Sequence, residues 1–245
     1  MTHLSFFFKF KPLILFSFFV LLCNFSYGQS SAEDKKIETE PQPQTVKPLP
    51  RFRIGAQVGY SYRLGAIDQA FTSEESKLVH NVNYGADISY YFKNNLGLGV
   101  KYWGNSAKAS SKYLLVLGSS AQSINISEAI EVHYLGAFFG TRHFLMRNKY
   151  CISIDGGVGY VRYVDKINGT DTKVTGNTVA FMGEVGNDFM VTNFLAINLQ
   201  LSVSIGVLRS LTASSGNIIV KEKLKRSERE LLSYIGVSLG FRFYR

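Results

Sequence analysis

From Arg51 to the end of the chain, apolar and polar residues alternate with a period of two. The first run sets Phe52, Ile54, Ala56, Val58, Tyr60 and Tyr62 against Arg53, Gly55, Gln57, Gly59, Ser61 and Arg63. A second sets Val82, Tyr84, Ala86, Ile88, Tyr90 and Phe92 against Asn81, Asn83, Gly85, Asp87 and Ser89. A third sets Leu96, Leu98, Val100 and Tyr102 against Gly97, Gly99, Lys101 and Trp103, and a fourth sets Ile130, Val132, Tyr134 and Phe138 against Glu131, His133 and Thr141. The fifth opposes Ile152, Ile154, Val158 and Tyr160 to Cys151, Ser153, Asp155 and Gly157; the sixth opposes Val179, Phe181, Val185 and Phe189 to Glu184, Gly186 and Asp188. The seventh alternates without a break from Leu195 to Val207, and the eighth sets Ile235, Val237, Leu239, Phe241 and Phe243 against Gly236, Ser238, Gly240 and Arg242. A helix would space its apolar residues by three and four, so this pattern predicts eight long strands.

The polar faces are built from Gly, Ser and Asn with a few charges, and the apolar faces are large and aromatic. A soluble barrel would coat its outside with Lys and Glu. Small polar residues suit a narrow lumen, and aromatic and aliphatic residues suit a band facing lipid. Connections alternate in length. Long ones are expected at 64–79, 105–128, 164–177 and 209–230, and short ones at 93–95, 144–149 and 191–193. Such asymmetry is that of outer-membrane barrels, whose short turns face the periplasm.

Residues before Arg51 read differently. Lys9 and Lys11 precede an apolar run from Leu13 to Leu22, followed by Ser26-Tyr27-Gly28. This predicts a secretory signal peptide over 1–28. The apolar run is too short for a spanning helix, which needs about 20 residues. Four of the five prolines (Pro41, Pro43, Pro48 and Pro50) then fall within ten residues. Proline fixes φ and removes a donor, so 29–50 is expected to be a flexible periplasmic linker. No proline follows Pro50, which suits fully paired strands over the expected barrel at 51–245.

Loss of the signal would leave Cys151 alone, without an intrachain disulfide partner, and would change the net charge from +9 to +7 (25 basic against 18 acidic residues). The chain resembles the OmpA/OmpX-type family of small outer-membrane barrels, through the signal peptide, eight strands, loop asymmetry and aromatic last strand Leu239-Gly240-Phe241-Arg242-Phe243-Tyr244-Arg245. The resemblance implies an all-β, eight-stranded, antiparallel up-and-down transmembrane barrel in the bacterial outer membrane. It further implies contact with the barrel-assembly machinery through the C-terminal strand. A monomer amid outer-membrane lipid and lipopolysaccharide is expected, without nucleic acid, cofactor or metal.

Nine charges are assigned to the lumen: Arg53, Arg63, Lys101 and Arg242 against Asp87, Glu131, Asp155, Glu184 and Asp188. A buried charge is costly unless paired, so these are expected to form a network that closes the barrel. A tight turn at 93–95 sets paired positions to sum to 188 and places Asp87 opposite Lys101. Outside, Lys221, Lys223, Lys225, Arg226 and Arg229 are candidates for contact with lipopolysaccharide phosphates.

For catalysis, the most suggestive set is Ser127, Glu131 and His133, but residues two and four apart on one strand do not place a base between nucleophile and acid. His80 has no serine and acid clearly beside it, and no Cys/His spacing suits a metal. The expected role is therefore non-enzymatic: envelope integrity, adhesion or loop-mediated binding. A lipid-A-modifying enzyme and a narrow ion or small-solute channel are the alternatives.

Overall fold

The computed structural model describes residues 49–64, 78–117, 120–146, 148–168, 172–216, 218–225 and 229–245; side chains are described except at 111–125. The expected signal peptide, most of the linker and most of the first long connection lie outside these residues. Among the described residues, eleven strands form one antiparallel sheet: β1 (Phe52–Arg63), β2 (His80–Tyr91), β3 (Leu96–Leu117), β4 (Ser120–Leu145), β5 (Tyr150–Asn168), β6 (Thr172–Met190), β7 (Leu195–Leu208), β8 (Ser210–Ser215), β9 (Ile218–Lys223), β10 (Glu230–Leu231) and β11 (Tyr234–Tyr244). β1 through β7 pair in chain order, β11 joins β7 to β1, and the sheet closes as an eight-stranded barrel.

The register gives the barrel its stagger. Starting at Phe52, the partners run Tyr90, Leu98, Phe139, Gly156, Gly183, Val203 and Ile235, and the row returns to β1 at Tyr62. The row has climbed 62 − 52 = 10 residues. A barrel of eight strands staggered in this way is narrow enough for side chains to fill it.

The wall obeys the alternation on most strands. Ile54, Val58, Ile88, Val100, Val158, Phe181, Leu201, Leu239 and Phe241 all point away from the lumen and are exposed. Arg53, Asp87, Lys101, Asp155, Glu184, Asp188 and Arg242 point inward and are buried. Asp87 and Lys101 are register partners.

Strand β4 departs from the expectation. Val132 and Tyr134 are fully buried, Ile130 and Phe138 nearly so, and all four face the lumen. Glu131 and His133 therefore face outward. The period of two was right and the choice of face was wrong, because the outer half of this lumen is lined with apolar rather than polar groups. Trp103 on β3 stacks on Tyr134 with ring centroids 5.3 Å apart and planes 7° from parallel. Tyr234 meets the edge of the same indole at 6.2 Å. Val132, Val161, Tyr163, Met182, Leu208 and Leu232 complete this layer.

Three expected outer loops are also largely strand. β3 continues to Leu117 and β4 resumes at Ser120, so most of 105–128 is a paired hairpin. β5 and β6 likewise run through most of 164–177. Within 209–230, β8 pairs with β6 and β9 with β8, extending the wall sideways above the barrel. Leu211 packs against the apolar layer, which fixes the inner face of this hairpin.

Candidate functional site: a two-layered lumen and an outward basic face

The inner half of the lumen is a charge network. The Arg53 guanidinium donates through Nη2 to Asp155 Oδ2 at 2.8 Å and through Nε to Asp87 Oδ2 at 3.2 Å. Lys101 Nζ donates to Glu184 Oε2 at 2.5 Å. Arg242 donates to Asp188 at 3.1 Å, to Ser153 Oγ at 2.8 Å and to Gln200 Oε1 at 2.9 Å. Asp188 accepts further bonds from Asn198 Nδ2 at 2.5 Å and from the Tyr244 hydroxyl. Asp87 thus pairs with Arg53, and its register partner Lys101 reaches across the barrel to Glu184.

Arg142 is a lumen cation that the sequence assigned to neither face. Its guanidinium lies 3.6 Å from the centre of the Tyr91 ring and donates to the carbonyls of Asn94 and Pro50. Its signal was present: Arg142 shares the parity of Gly136 and Gly140, and glycine marks the crowded inner face on most other strands. Four cations (Arg53, Lys101, Arg142 and Arg242) therefore stand beside four carboxylates (Asp87, Asp155, Glu184 and Asp188) in this layer.

Between the layers, Asn105 Oδ1 accepts from Ser61 Oγ and Asn83 Nδ2, each at 2.8 Å, and Ser238 Oγ donates to Asn83 at 3.1 Å. A cavity of about 10 Å³ remains here, lined by Gln57, Asn83, Trp103, Met182 and Glu184 among others. That is room for about one water molecule.

Arg63 and Glu131 do not belong to this network. Arg63 sits at the outer mouth, where Nη2 donates to Glu230 Oε1 at 2.5 Å and to the Leu231 carbonyl at 3.2 Å. Glu131 lies on the outward face of β4, 3.5 Å from Lys166 Nζ and 3.9 Å from His133 Nε2. At the mouth, Asp165 points inward, five positions past Tyr160 and between the outward-facing Arg162 and Lys166, beyond the outward apolar band. Burial, followed by the nearby carboxylates of Glu128 and Glu230, pushes its carboxyl up to about 7.

The candidate catalytic residues do not assemble. His133 Nδ1 is 2.9 Å from the Tyr102 hydroxyl. Ser127 instead has Ser110 and Asn168 as its register partners. His80 meets the rings of Tyr60 and Tyr62 and is hydrogen-bonded to the Tyr60 hydroxyl. Among the described residues, no group of three or more His, Cys, Asp or Glu side chains is placed to hold a metal ion.

Of the surface cations, Lys221 and Lys223 lie on β9, register partners of Thr212 and Ser210. Lys225 and Arg229 follow as exposed residues outside the strands, and Arg226 lies outside the described residues.

No family model matches the sequence, and no curated protein sequence matches it. Solved structures do. The chain is similar to the outer membrane protein OprG from Pseudomonas aeruginosa, with a TM-score of 0.52 and 11% identity over 80% of this chain and 96% of that one. A major outer membrane protein from Thermus thermophilus matches with a TM-score of 0.51 and 9% identity over 79% of this chain and 99% of that one. At such identity the likeness is one of fold. The chain is a closed eight-stranded antiparallel β-barrel, and its structural neighbours are bacterial outer-membrane proteins.

Proposed function

We propose that this chain is a bacterial outer-membrane barrel with a structural or surface-binding role and a lumen that does not conduct. One observation carries the proposal: an unbroken apolar band faces outward on all eight strands while charged and polar side chains are packed inside. Val58, Val82, Leu98, Leu135, Val158, Phe181, Leu201 and Val237 represent the eight strands in that band, each between 45% and 66% exposed. In water, leaving such a side chain exposed forgoes about 1.5–3 kcal/mol of burial. In a bilayer the same band is the favourable contact surface, and a closed barrel leaves no strand edge unpaired in hydrocarbon.

The outer hairpins supply the surface for binding. β3–β4 and β8–β9 carry paired backbone well past the apolar band.

Export of the full chain in a Gram-negative host tests this. The expected result is an outer-membrane fraction whose band migrates differently after boiling, as folded barrels do in detergent gels. A deletion should leave lipid A masses unchanged. Recovery only as soluble periplasmic protein would refute the placement, and an altered lipid A profile would replace the structural role with an enzymatic one.

A further inference from the structure

Lys166 on β5 and Lys173 on β6 are direct register partners, and both are exposed on the outward face. Directly opposed side chains on antiparallel strands have Cβ atoms about 5 Å apart, and like charges there are destabilising. The row continues in both directions. On one side it passes through Ala129 to Lys108; on the other it passes through Ser214 to Ile219 on β9. Two residues away along β9 stands Lys221, level with Thr212 and Thr175, and then Lys223, level with Ser210. Arg162 lies on the same outward face, opposite His133. Because Leu211 turns the other face of the β8–β9 hairpin inward, Lys221 and Lys223 share the outward side with Lys173.

One continuous face thus carries Lys108, Arg162, Lys166, Lys173, Lys221 and Lys223. Among the described side chains its carboxylate is Glu131, held by Lys166 at 3.5 Å. The distribution is one-sided. Outward positions on β7, β11, β1 and β2 are apolar, aromatic or His80, and carry no Lys or Arg in their strands. The basic face begins where the apolar band ends, above Tyr102 and Tyr160, whose rings suit a boundary between hydrocarbon and headgroups.

We propose that this face binds the phosphorylated headgroup of a glycolipid in the outer leaflet, with Lys166 and Lys173 sharing one phosphate. The proposal rests on the membrane placement argued above. A phosphate between the two ammonium groups would turn their repulsion into two charge-assisted bonds. Lysine stems reach several ångströms along the apolar wall, so the charges can meet phosphates lying over the acyl chains. The hairpin lysines Lys221 and Lys223 extend the contact sideways along the rim.

The test uses the full barrel refolded into three kinds of nanodisc: phosphatidylcholine alone, phosphatidylcholine with bisphosphorylated lipid A, and phosphatidylcholine with dephosphorylated lipid A. Lipid A retained per barrel is counted by native mass spectrometry, and heat-modifiable migration checks folding. Wild type should retain the bisphosphorylated lipid and not the dephosphorylated one. Each basic residue near an anionic surface is worth about fivefold in binding, so Lys166→Gln with Lys173→Gln should lose about 30-fold. Lys221→Gln with Lys223→Gln, on the hairpin outside the barrel wall, should lose a similar factor. Lys93→Gln with Lys149→Gln, at the opposite rim, should lose nothing.

Equal retention by wild type and both patch variants would overturn the proposal, as would equal retention of the two lipids. Displacement by millimolar inorganic phosphate would reassign the face to free anions and overturn the lipid assignment. A protein that enters none of the nanodiscs would remove the membrane placement itself. Normal insertion with indiscriminate lipid retention would sink the patch alone.

Discussion

Arg53 shows how much one residue can hold in this lumen. Its guanidinium pairs with Asp87 and Asp155, which come from two strands other than its own, and all three are buried. Removing one member of a buried ion pair leaves an uncompensated charge, at a cost of about 3–5 kcal/mol. Arg53→Ala strands two carboxylates and should reach that range, read as a lower urea midpoint for unfolding from detergent micelles. Replacing all three together, Arg53→Met with Asp87→Leu and Asp155→Leu, should recover most of the loss, since apolar replacement of a buried ion network is often neutral or better. Asp165 at the mouth works in the opposite sense. Its carboxyl is raised to about 7 by burial and by Glu128 and Glu230, against about 4 in an unfolded chain. The folded state therefore holds a proton that the unfolded state has released between those values, and stability falls as pH rises through that window. Asp165→Asn should be more stable than wild type at pH 8 and should lose the slope between pH 4 and 7; a parallel pair of urea midpoints at pH 5 and pH 8 would contradict this.

Strand β4 shows where sequence reading reaches its limit. Period two identified every barrel strand, because a wall whose outer face is an apolar band and whose other face lines a lumen must alternate. Choosing which face points in needs a second signal, and on seven strands the small polar residues supplied it. On β4, Ile130, Val132, Tyr134 and Phe138 look like a lipid-facing set, yet they fill the outer half of the barrel. That half is packed with Trp103, Tyr163 and Tyr234, contributed by three other strands. No local pattern reports on partners so far apart in sequence. The β5–β6 and β8–β9 extensions were hidden for a related reason: beyond the outward apolar band, the two faces of a strand no longer differ sharply, and alternation weakens. The face assignment of β4 is directly testable. Glu131→Cys should react with a membrane-impermeant maleimide on the folded barrel, and Val132→Cys should react only after unfolding. Gly136 belongs to the same strand-level argument. A Cβ there would run into the Tyr134 ring and the Gly159 backbone across the β4–β5 pair. Gly136→Ala should cost about 1–3 kcal/mol through overpacking and should disturb the near-UV signal of the Trp103–Tyr134 stack.

At the scale of the whole molecule, two layers of different physics fill the lumen, and the proposed closure rests on both. The inner layer is electrostatic: Arg53, Lys101 and Arg242 pair with four carboxylates, and Arg142 packs on the Tyr91 ring beside them. Its neighbour toward the outside is an apolar layer, where Trp103, Tyr134 and Tyr234 fill the bore. Loss of either alone leaves the other spanning the lumen. Wild type should therefore show no steps in a planar bilayer. Trp103→Ala with Tyr134→Ala should also stay closed while losing about 3–5 kcal/mol per ring removed. Arg53→Ala with Arg242→Ala should likewise stay closed, because the aromatic layer still excludes ions. Only the combination of both pairs should admit current, and only in preparations whose heat-modifiable migration shows the barrel still folded. Conductance from wild type would make the lumen a path and the side chains within it a selectivity filter. Conductance from either single-layer variant would mean that the remaining layer is not a seal.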